Sequence, residues 1–368
     1  MHVLHPSPLP KPGRRRGGVA AVAQLLTGAT MLTACGSDKK ADATATTPAG
    51  GSTTKSGPTT IHLGYFPNIT HAPALVGVEQ GIFQKALGAD TLDASKTFNA
   101  GPAAIEALLS GAIDATFIGP SPSVNAFTKS GAVQIVAGTA SGGAALVVKP
   151  TITSVDQLKG KTIADPQLGG TQDVALRAFL KTKGFKTDVS GGGDVSIKPQ
   201  ENSQTVDTFK AGSIDGAWVP EPFLSRLVLE GGGKVLVDER DLWPGGQWVT
   251  TNLLVSKKFL DAHPTTVKHL IEGLVDAIAF IKDKPADAAK SANTQITKLT
   301  TKGLSDAVLT AAFKNLTFTV DPLPATLKKQ ATDAVEVGLL KEAKTDGIYN
   351  LTLLNEVLKA DGQTEIGA

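Results

Sequence analysis

Cysteine is almost missing from this 368-residue chain. The single Cys35 excludes an internal disulfide, a CxxC redox pair and any Cys/His metal cluster. Aromatic residues are also scarce, at 5 %, so the core must be built from Ala, Val, Leu and Ile. There is no long Lys/Arg run, which argues against nucleic acid as a partner. With 41 % hydrophobic and 19 % charged residues the chain is neither a disordered tail nor a helical membrane protein. Plentiful instead are glycine, 39, and proline, 21, which cut the apolar stretches into many short elements.

The first 34 residues carry Lys11, Arg14, Arg15 and Arg16 and no acid; setting those four aside leaves 32 basic against 34 acidic side chains, so the body is near neutral. Val19 to Leu32 is mostly apolar, too short to span a bilayer comfortably and suited to the apolar part of a signal peptide. It closes on Leu32, Thr33, Ala34, Cys35 and Gly36, which resembles the bacterial lipobox; the resemblance implies that Cys35 is lipidated as the first residue of the mature protein. An ordinary buried cysteine is the plainer reading, but it ignores that the single cysteine falls where an anchor belongs. Residues 37–58 hold Ala, Thr, Gly, Ser and Lys and no large apolar side chain, the composition of a flexible tether. The expected arrangement is a signal peptide over 1–34, a tether over 35–58, and a folded body from Thr59 held outside the cytoplasm by a lipid anchor, within reach of a membrane partner.

The body reads as strands alternating with helices, which implies sheets with both faces covered. Thr60 to Tyr65 alternates as a strand; Pro73 opens a helix to about Leu87, and Pro102 opens another that stops at Gly111. Ala115 to Ile118 and Val133 to Ala137 read as strands around a helix ending at Gly131. An internal repeat follows: Gly111, Ile113 and Asp114 recur as Gly212, Ile214 and Asp215, each time after a helix and before a strand and a proline-containing turn. Further on, Phe223 to Leu229 is helical and Lys234 to Val237 is a strand. Two short apolar runs, Ala144 to Val148 and Thr251 to Val255, read as crossings between two similar lobes. Pro264 opens a long amphipathic helix, and further helices, broken at Asp321 to Pro324, brace the first lobe.

Catalytic motifs are missing. Gly160, Lys161 and Thr162 imitate the end of a P-loop, but its first glycine would fall at Val155. No GxSxG elbow is present. Past the leader only His62, His71, His263 and His269 remain, and of these only His71 falls in a candidate functional loop, so a Ser/His/Asp triad has little material. Asp114 and Asp215 read as matching turn residues of the repeat rather than a catalytic pair. No residue is assigned to catalysis or to metal, and no cofactor is expected.

Four loops built of Gly, Pro and small polar residues each open a helix: 66–73, 119–123, 166–172 and 219–222. In open α/β sheets such loops hold the ligand, and free helix N-terminal N–H groups make an anion site without basic side chains. Ser121, Ser123, Thr171 and Gln172 would add neutral donors; plain N-capping is the competing role for each. Glu221 is divided between compensating a helix dipole and meeting a ligand ammonium or hydroxyl. His71 is divided between capping its loop and donating to a ligand. Trp218, Trp243 and Trp248 fall near these loops and could wall a pocket for a small organic solute.

Taken together, Ile61 to Pro67, Gly101 to Gly119, Val155 to Ile163 and Asp215 to Phe223 resemble the solute-binding proteins of ABC importers in the nitrate/sulfonate/taurine group. The resemblance covers about Ile61 to Pro285. It implies an α/β, two-lobed periplasmic-binding-protein fold of type II, with two three-layer lobes joined by a two-stranded hinge and extra C-terminal helices. The lobes would be 59–147 plus 252–368, and 148–251. It further implies a monomer that closes on a solute and docks on a membrane permease. By motif position the cleft residues would be Asn68, His71, Ser121, Ser123, Thr171, Gln172, Trp218 and Glu221, with Ser141 and Gly142 at a strand end and Trp248 as a pocket wall. The expected solute is a small oxyanionic organic molecule, an aliphatic sulfonate or a taurine-like one; nitrate, bicarbonate or a thiamine-precursor pyrimidine are alternatives. Enzymes of similar fold that synthesise that pyrimidine use a cysteine-rich motif absent here. A serine hydrolase using Ser121 and a sensory module without a transporter are the alternatives of other classes.

Overall fold

In a computed structural model, residues 57–367 are described. The leader, Cys35 and the tether up to residue 56 lie outside them.

The strands are β1 (Thr60–Tyr65), β2 (Thr91–Thr97), β3 (Ala115–Ile118), β4 (Val133–Gly142), β5 (Ala144–Val148), β6 (Thr162–Asp165), β7 (Ser196–Pro199), β8 (Gly216–Pro220), β9 (Lys234–Asp238), β10 (Val249–Ser256) and β11 (Leu316–Phe318). They form two sheets, in the orders β11-β4-β10-β3-β1-β2 and β7-β6-β8-β5-β9. The two share one plan. Each lobe's second, first and third strands are parallel neighbours. Then comes the strand that has just arrived from the other sheet, β10 or β5, running antiparallel, and then the fourth strand. The chain passes between the sheets at Gly142–Gly143 and again through 239–248. Ala144–Val148 and the run around Thr251–Val255 are therefore each a full member of one sheet, not a link between sheets.

The repeat has a structural cause. Asp114 N–H donates to the His62 carbonyl (2.8 Å), and its Oδ2 accepts from His62 N–H (2.9 Å). Asp215 N–H donates to the Thr162 carbonyl (2.8 Å), and its Oδ2 accepts from Thr162 N–H (3.0 Å). Each aspartate thus satisfies both backbone groups of a residue in its lobe's first strand, β1 or β6. Gly111 and Gly212 sit at the preceding helix ends with φ of 78° and 75°, a left-handed conformation that glycine adopts without strain.

Period-two alternation fills both faces of each sheet. In β5, Leu146 and Val148 pack with Leu176, Phe179 and Trp218 on one face, while Ala145 and Val147 pack with Val206, Phe209 and Leu227 on the other. In the first sheet, Ile61, Leu63 and Phe117 join the layer of the helix Pro264–Asp283, and Ile118, Ile135 and Leu254 join the layer of the helices Gly101–Ser110 and Pro120–Ser130. That long helix buries Val267, Leu270, Ile271, Leu274 and Ile278 at helical spacing. The helix Pro285–Thr300 adds Ala288, Ala292 and Ile296 to the same layer.

Some elements depart from the sequence expectation. The helix expected from Pro73 to Leu87 is two helices, Ala72–Glu79 and Ile82–Leu87, because Gly81 takes a φ of 66° between them. Strands β2, β6, β7 and β11 were not among those expected. β2 is half exposed and polar, and the other three run only three or four residues, too few for period two to register.

Candidate functional site

The carboxyl ends of β1, β3, β6 and β8 and the beginning of β10 meet around a cavity of about 40 Å³. From the first lobe it is lined by Asn68, His71, Asn99, Gly119, Thr250 and Thr251, and from the second by Pro166, Gln167, Thr171, Gln172, Asn202 and Pro220, among others. Four helices begin at its wall: Gly101–Ser110, Pro120–Ser130, Thr171–Thr182 and Asn202–Lys210. None has a side-chain cap hydrogen bond at its start and their dipoles point inward; because Pro102, Pro120 and Pro122 carry no N–H and Ser123 N–H turns to the Gly119 carbonyl, the helices Thr171–Thr182 and Asn202–Lys210 keep more first-turn donors than the other two. The residues lining the cavity include no Asp, Glu, Lys or Arg.

His71 supplies no charge either. It ends the single turn Ile69–His71, stacks on Phe66 with ring centroids 4.3 Å apart, and is buried. Its Nδ1 accepts from Phe66 N–H (3.3 Å), which assigns the proton to Nε2. Burial pushes its pKa down to about 3, so the ring is a neutral donor. Two further buried polar atoms at the wall, Asn202 Oδ1 and Thr251 Oγ1, have no hydrogen-bond partner in the protein.

Behind the wall, ionised groups are tied into structure. Asp173, in the first turn of the helix Thr171–Thr182, accepts from Gly169 N–H (2.8 Å) and from Arg177 Nε (2.6 Å). Asp165, the last residue of β6, is buried near this pair. Burial raises its pKa, the Asp173 carboxylate raises it further, and the Arg177 guanidinium opposes both.

The lobes approach closely. A Cβ on Gly119 would lie 2.2 Å from Thr171 Oγ1, so any larger residue requires that hydroxyl to turn aside or the loops to part. Asn99 Nδ2 donates to Glu201 Oε2 across the cleft (3.3 Å), and Lys181 Nζ pairs with Glu336 Oε2 (3.3 Å).

Of the residues expected at the cleft, Asn68, His71, Thr171 and Gln172 come together on the cavity wall. The others lie elsewhere. Ser121 is buried with an unpartnered Oγ, so no base stands ready to take its proton as a hydrolase would need. Ser123 Oγ donates back to the Gly119 carbonyl (2.8 Å), a local helix bond. Ser141 Oγ accepts from Trp248 N–H (3.2 Å), and Gly142 is where β4 hands over to the second sheet. Trp248 and Trp218 are buried. Trp218 faces the core between β8 and the helix Thr171–Thr182, with its ring centroid 5.4 Å from Phe179, and its Nε1–H donates to Glu239 Oε2 (2.8 Å). Glu221 is also buried. Its carboxylate accepts from Ser225 N–H (3.1 Å), Ser225 Oγ (2.8 Å) and Asn315 Nδ2 (2.7 Å), which leaves it the helix-start role and not the ammonium-binding one.

Sequence reasoning missed Asn99, Asn202, Thr250 and Thr251. For Asn202 a signal was present: the helices Gly101–Ser110 and Asn202–Lys210 start 101 residues apart, the offset of the repeat, so carrying the repeat back by one helix would have found it. Thr250 and Thr251 precede an apolar strand and gave no such sign.

The architecture is the periplasmic-binding-protein fold. The nitrate-binding protein NrtA from Synechocystis PCC 6803 superposes with a TM-score of 0.71 at 18 % identity, over 82 % of this chain and 89 % of that one. The alkanesulfonate-binding protein SsuA from Xanthomonas axonopodis pv. citri, bound to MOPS, superposes with a TM-score of 0.63 at 21 % identity, over 79 % and 96 %. Residues 54–296 match the model of the NMT1-like family, and the chain belongs to that family. The taurine-binding periplasmic protein of Escherichia coli (strain K12) is 34 % identical over 210 residues, which is 56 % of this chain and 62 % of that protein, so the match spans less than two thirds of that relative.

Proposed function

We propose that this protein is the extracytoplasmic solute receptor of an ABC importer, a monomer anchored by lipid at Cys35, and that its solute is a small oxyanionic organic molecule, foremost an aliphatic sulfonate. The observation that carries this reading is the cavity wall: donors from both lobes, His71 Nε2–H, Thr171, Gln172 and the uncapped helix starts, with no charged side chain among them. Such a wall suits a monoanion whose charge is spread over several oxygens, each taking a neutral donor. It suits a zwitterion poorly, because Glu221, the one carboxylate considered for an ammonium, is already engaged by Ser225 and Asn315. The two lobes, which exchange the chain at Gly142–Gly143 and through 239–248, would separate to admit the solute and close on it, because only the closed form offers both sets of donors. A permease would then receive it.

The cavity volume of about 40 Å³ favours a second reading as well, since room for three or four water-sized spheres is room for nitrate or bicarbonate and not for a pyrimidine ring. Isothermal titration of the full chain with methanesulfonate, ethanesulfonate, taurine, nitrate, bicarbonate and a hydroxymethylpyrimidine separates these readings. Tight binding of the plain sulfonates with weak binding of taurine is the expected result. Binding of the pyrimidine alone, or of no oxyanion, refutes the proposal.

A further inference from the structure

The cavity has a larger neighbour. Three of its wall residues, Asn68, Asn99 and Asn202, also wall a groove of about 310 Å³ that continues between the lobes. Pro67, Ile296 and Leu304 give the groove apolar surface from the first lobe, and Pro222 and Phe223 give it from the second. Its charges balance in sign: Arg226 is paired with Glu230 at 3.0 Å, and Asp207 is matched by Lys302. Nothing there selects an ion, while the prolines, the Phe223 ring and the aliphatic side chains can cover hydrocarbon.

We propose that this groove is a second subsite, which takes the uncharged tail of an organic oxyanion whose head fills the cavity. The proposal rests on the receptor reading and extends it from the head of the solute to its length. The solute class becomes alkanesulfonates, or similarly built organic anions, with several carbons beyond the head. Nitrate, bicarbonate and two-carbon sulfonates leave the groove empty. The tail leaves the cavity past Asn68, Asn99 and Asn202, which line both spaces. A second groove, of about 430 Å³, shares Asn99, Ala100, Pro166 and Gln167 with the cavity and sets Phe98, Ala103 and Pro199 beside Gln200 and the carboxylate of Glu201, which no cation of its lining offsets; it is the competing route that the variants must separate.

Full burial of one methylene strengthens binding about fourfold, and a groove open along one side recovers about half of that free energy, or about twofold per carbon. The test is titration calorimetry of the full chain with methane-, ethane-, butane- and hexanesulfonate. Affinity is expected to rise about twofold per carbon from ethane to hexane. Ser203→Trp fills the groove from the second lobe at an exposed position, and Thr300→Trp does so from the first. Each should flatten the rise and leave methanesulfonate within about twofold of its original affinity, with melting temperature checking that each variant folds. Methanesulfonate binding with no gain in the longer members overturns the tail subsite alone. Flattening by Gln200→Trp in place of Ser203→Trp moves the tail to the other groove and also overturns it. Failure of every sulfonate to bind overturns the receptor reading itself.

Discussion

Replacing Gly119 by alanine should weaken solute binding while leaving the fold intact. Gly119 sits at φ −72° and ψ 161°, extended backbone that alanine adopts without strain, so its own lobe tolerates the change. The added Cβ meets only the facing loop and a local carbonyl: Thr171 Oγ1 at 2.2 Å, Thr171 Cβ at 3.3 Å and the Thr250 carbonyl at 3.5 Å. Overpacking of this kind costs about 1–3 kcal/mol. Separated lobes do not feel it, so the cost weighs on the closed form alone and reduces affinity by about 5- to 150-fold. If the Thr171 hydroxyl instead turns aside, the loss is one hydrogen bond, about 0.5–1.5 kcal/mol, and the reduction is about 2- to 12-fold. Titration calorimetry with the sulfonate bound best, alongside circular dichroism of the free protein, measures both parts. The double variant isolates the cause. Without the hydroxyl the nearest atom is Thr171 Cβ at 3.3 Å, so Gly119→Ala should change affinity less than about twofold when added to Thr171→Ala. An unchanged affinity in the single variant, or an equal loss with and without the hydroxyl, refutes the closed-lobe geometry.

Glu239 accepts from Trp218 and Trp243 in a fully buried site, and burial pushes its pKa from 4.5 up to about 7 against those hydrogen bonds. Because the folded value is the higher one, its contribution to stability is complete below about pH 4.5 and is lost as the pH climbs through about 7, a change of about 3 kcal/mol. Glu239→Gln should remove that slope from the stability-against-pH curve measured by urea unfolding; parallel curves for the two proteins count against it. His71, held near pKa 3, stays neutral through the ordinary histidine range, so affinity should be level between about pH 4.5 and 6.5. A gain of about tenfold per pH unit below 6.5 would mean that a charged ring grips the anion. Cys35→Ser should release the protein from the membrane fraction into the soluble extracytoplasmic fraction, and retention in the membrane removes the lipid-anchor reading.

What could be read in the sequence followed physical periodicity. The helix from Pro264 announced itself through twenty residues of helical spacing, and the twofold plan through two aspartates with the same backbone partners. Asn68, His71, Thr171 and Gln172 were legible because they stand in Pro/Gly loops that open helices. Trp218 and Glu221 were misleading for a shared reason. β8 alternates, so Ala217 and Val219 face one core layer and Trp218 the other, and a residue's closeness to a cleft loop in sequence says nothing of which face it takes. Glu221 depends on Asn315, 94 residues further on, a partner no local pattern could supply. Asn202 escapes a strand-by-strand reading because the strand before it, Ser196–Pro199, is four residues long and exposed at three of them, which leaves the repeat offset as the signal that points to it.

The distribution of charge suggests why a receptor would keep its cleft neutral. The chain does not lack buried acids: Glu221, Glu239 and Asp173 are all buried, and each is hydrogen-bonded within the protein. A buried Arg or Lys aimed at the cavity would need to shed water before the solute arrives and would stand unpaired in the empty protein, a penalty of several kcal/mol. Once joined to its anion it would also resist release. Helix starts and amide donors avoid both problems, since their dipoles are fixed by the fold and each holds the solute only modestly. Because the donors are divided between the lobes, with His71 on one and Thr171 and Gln172 on the other, separating the lobes removes roughly half of the contacts at once. A partner that spreads the lobes can therefore lower affinity steeply without touching the solute, which is what the proposed role of delivering cargo at a membrane would require.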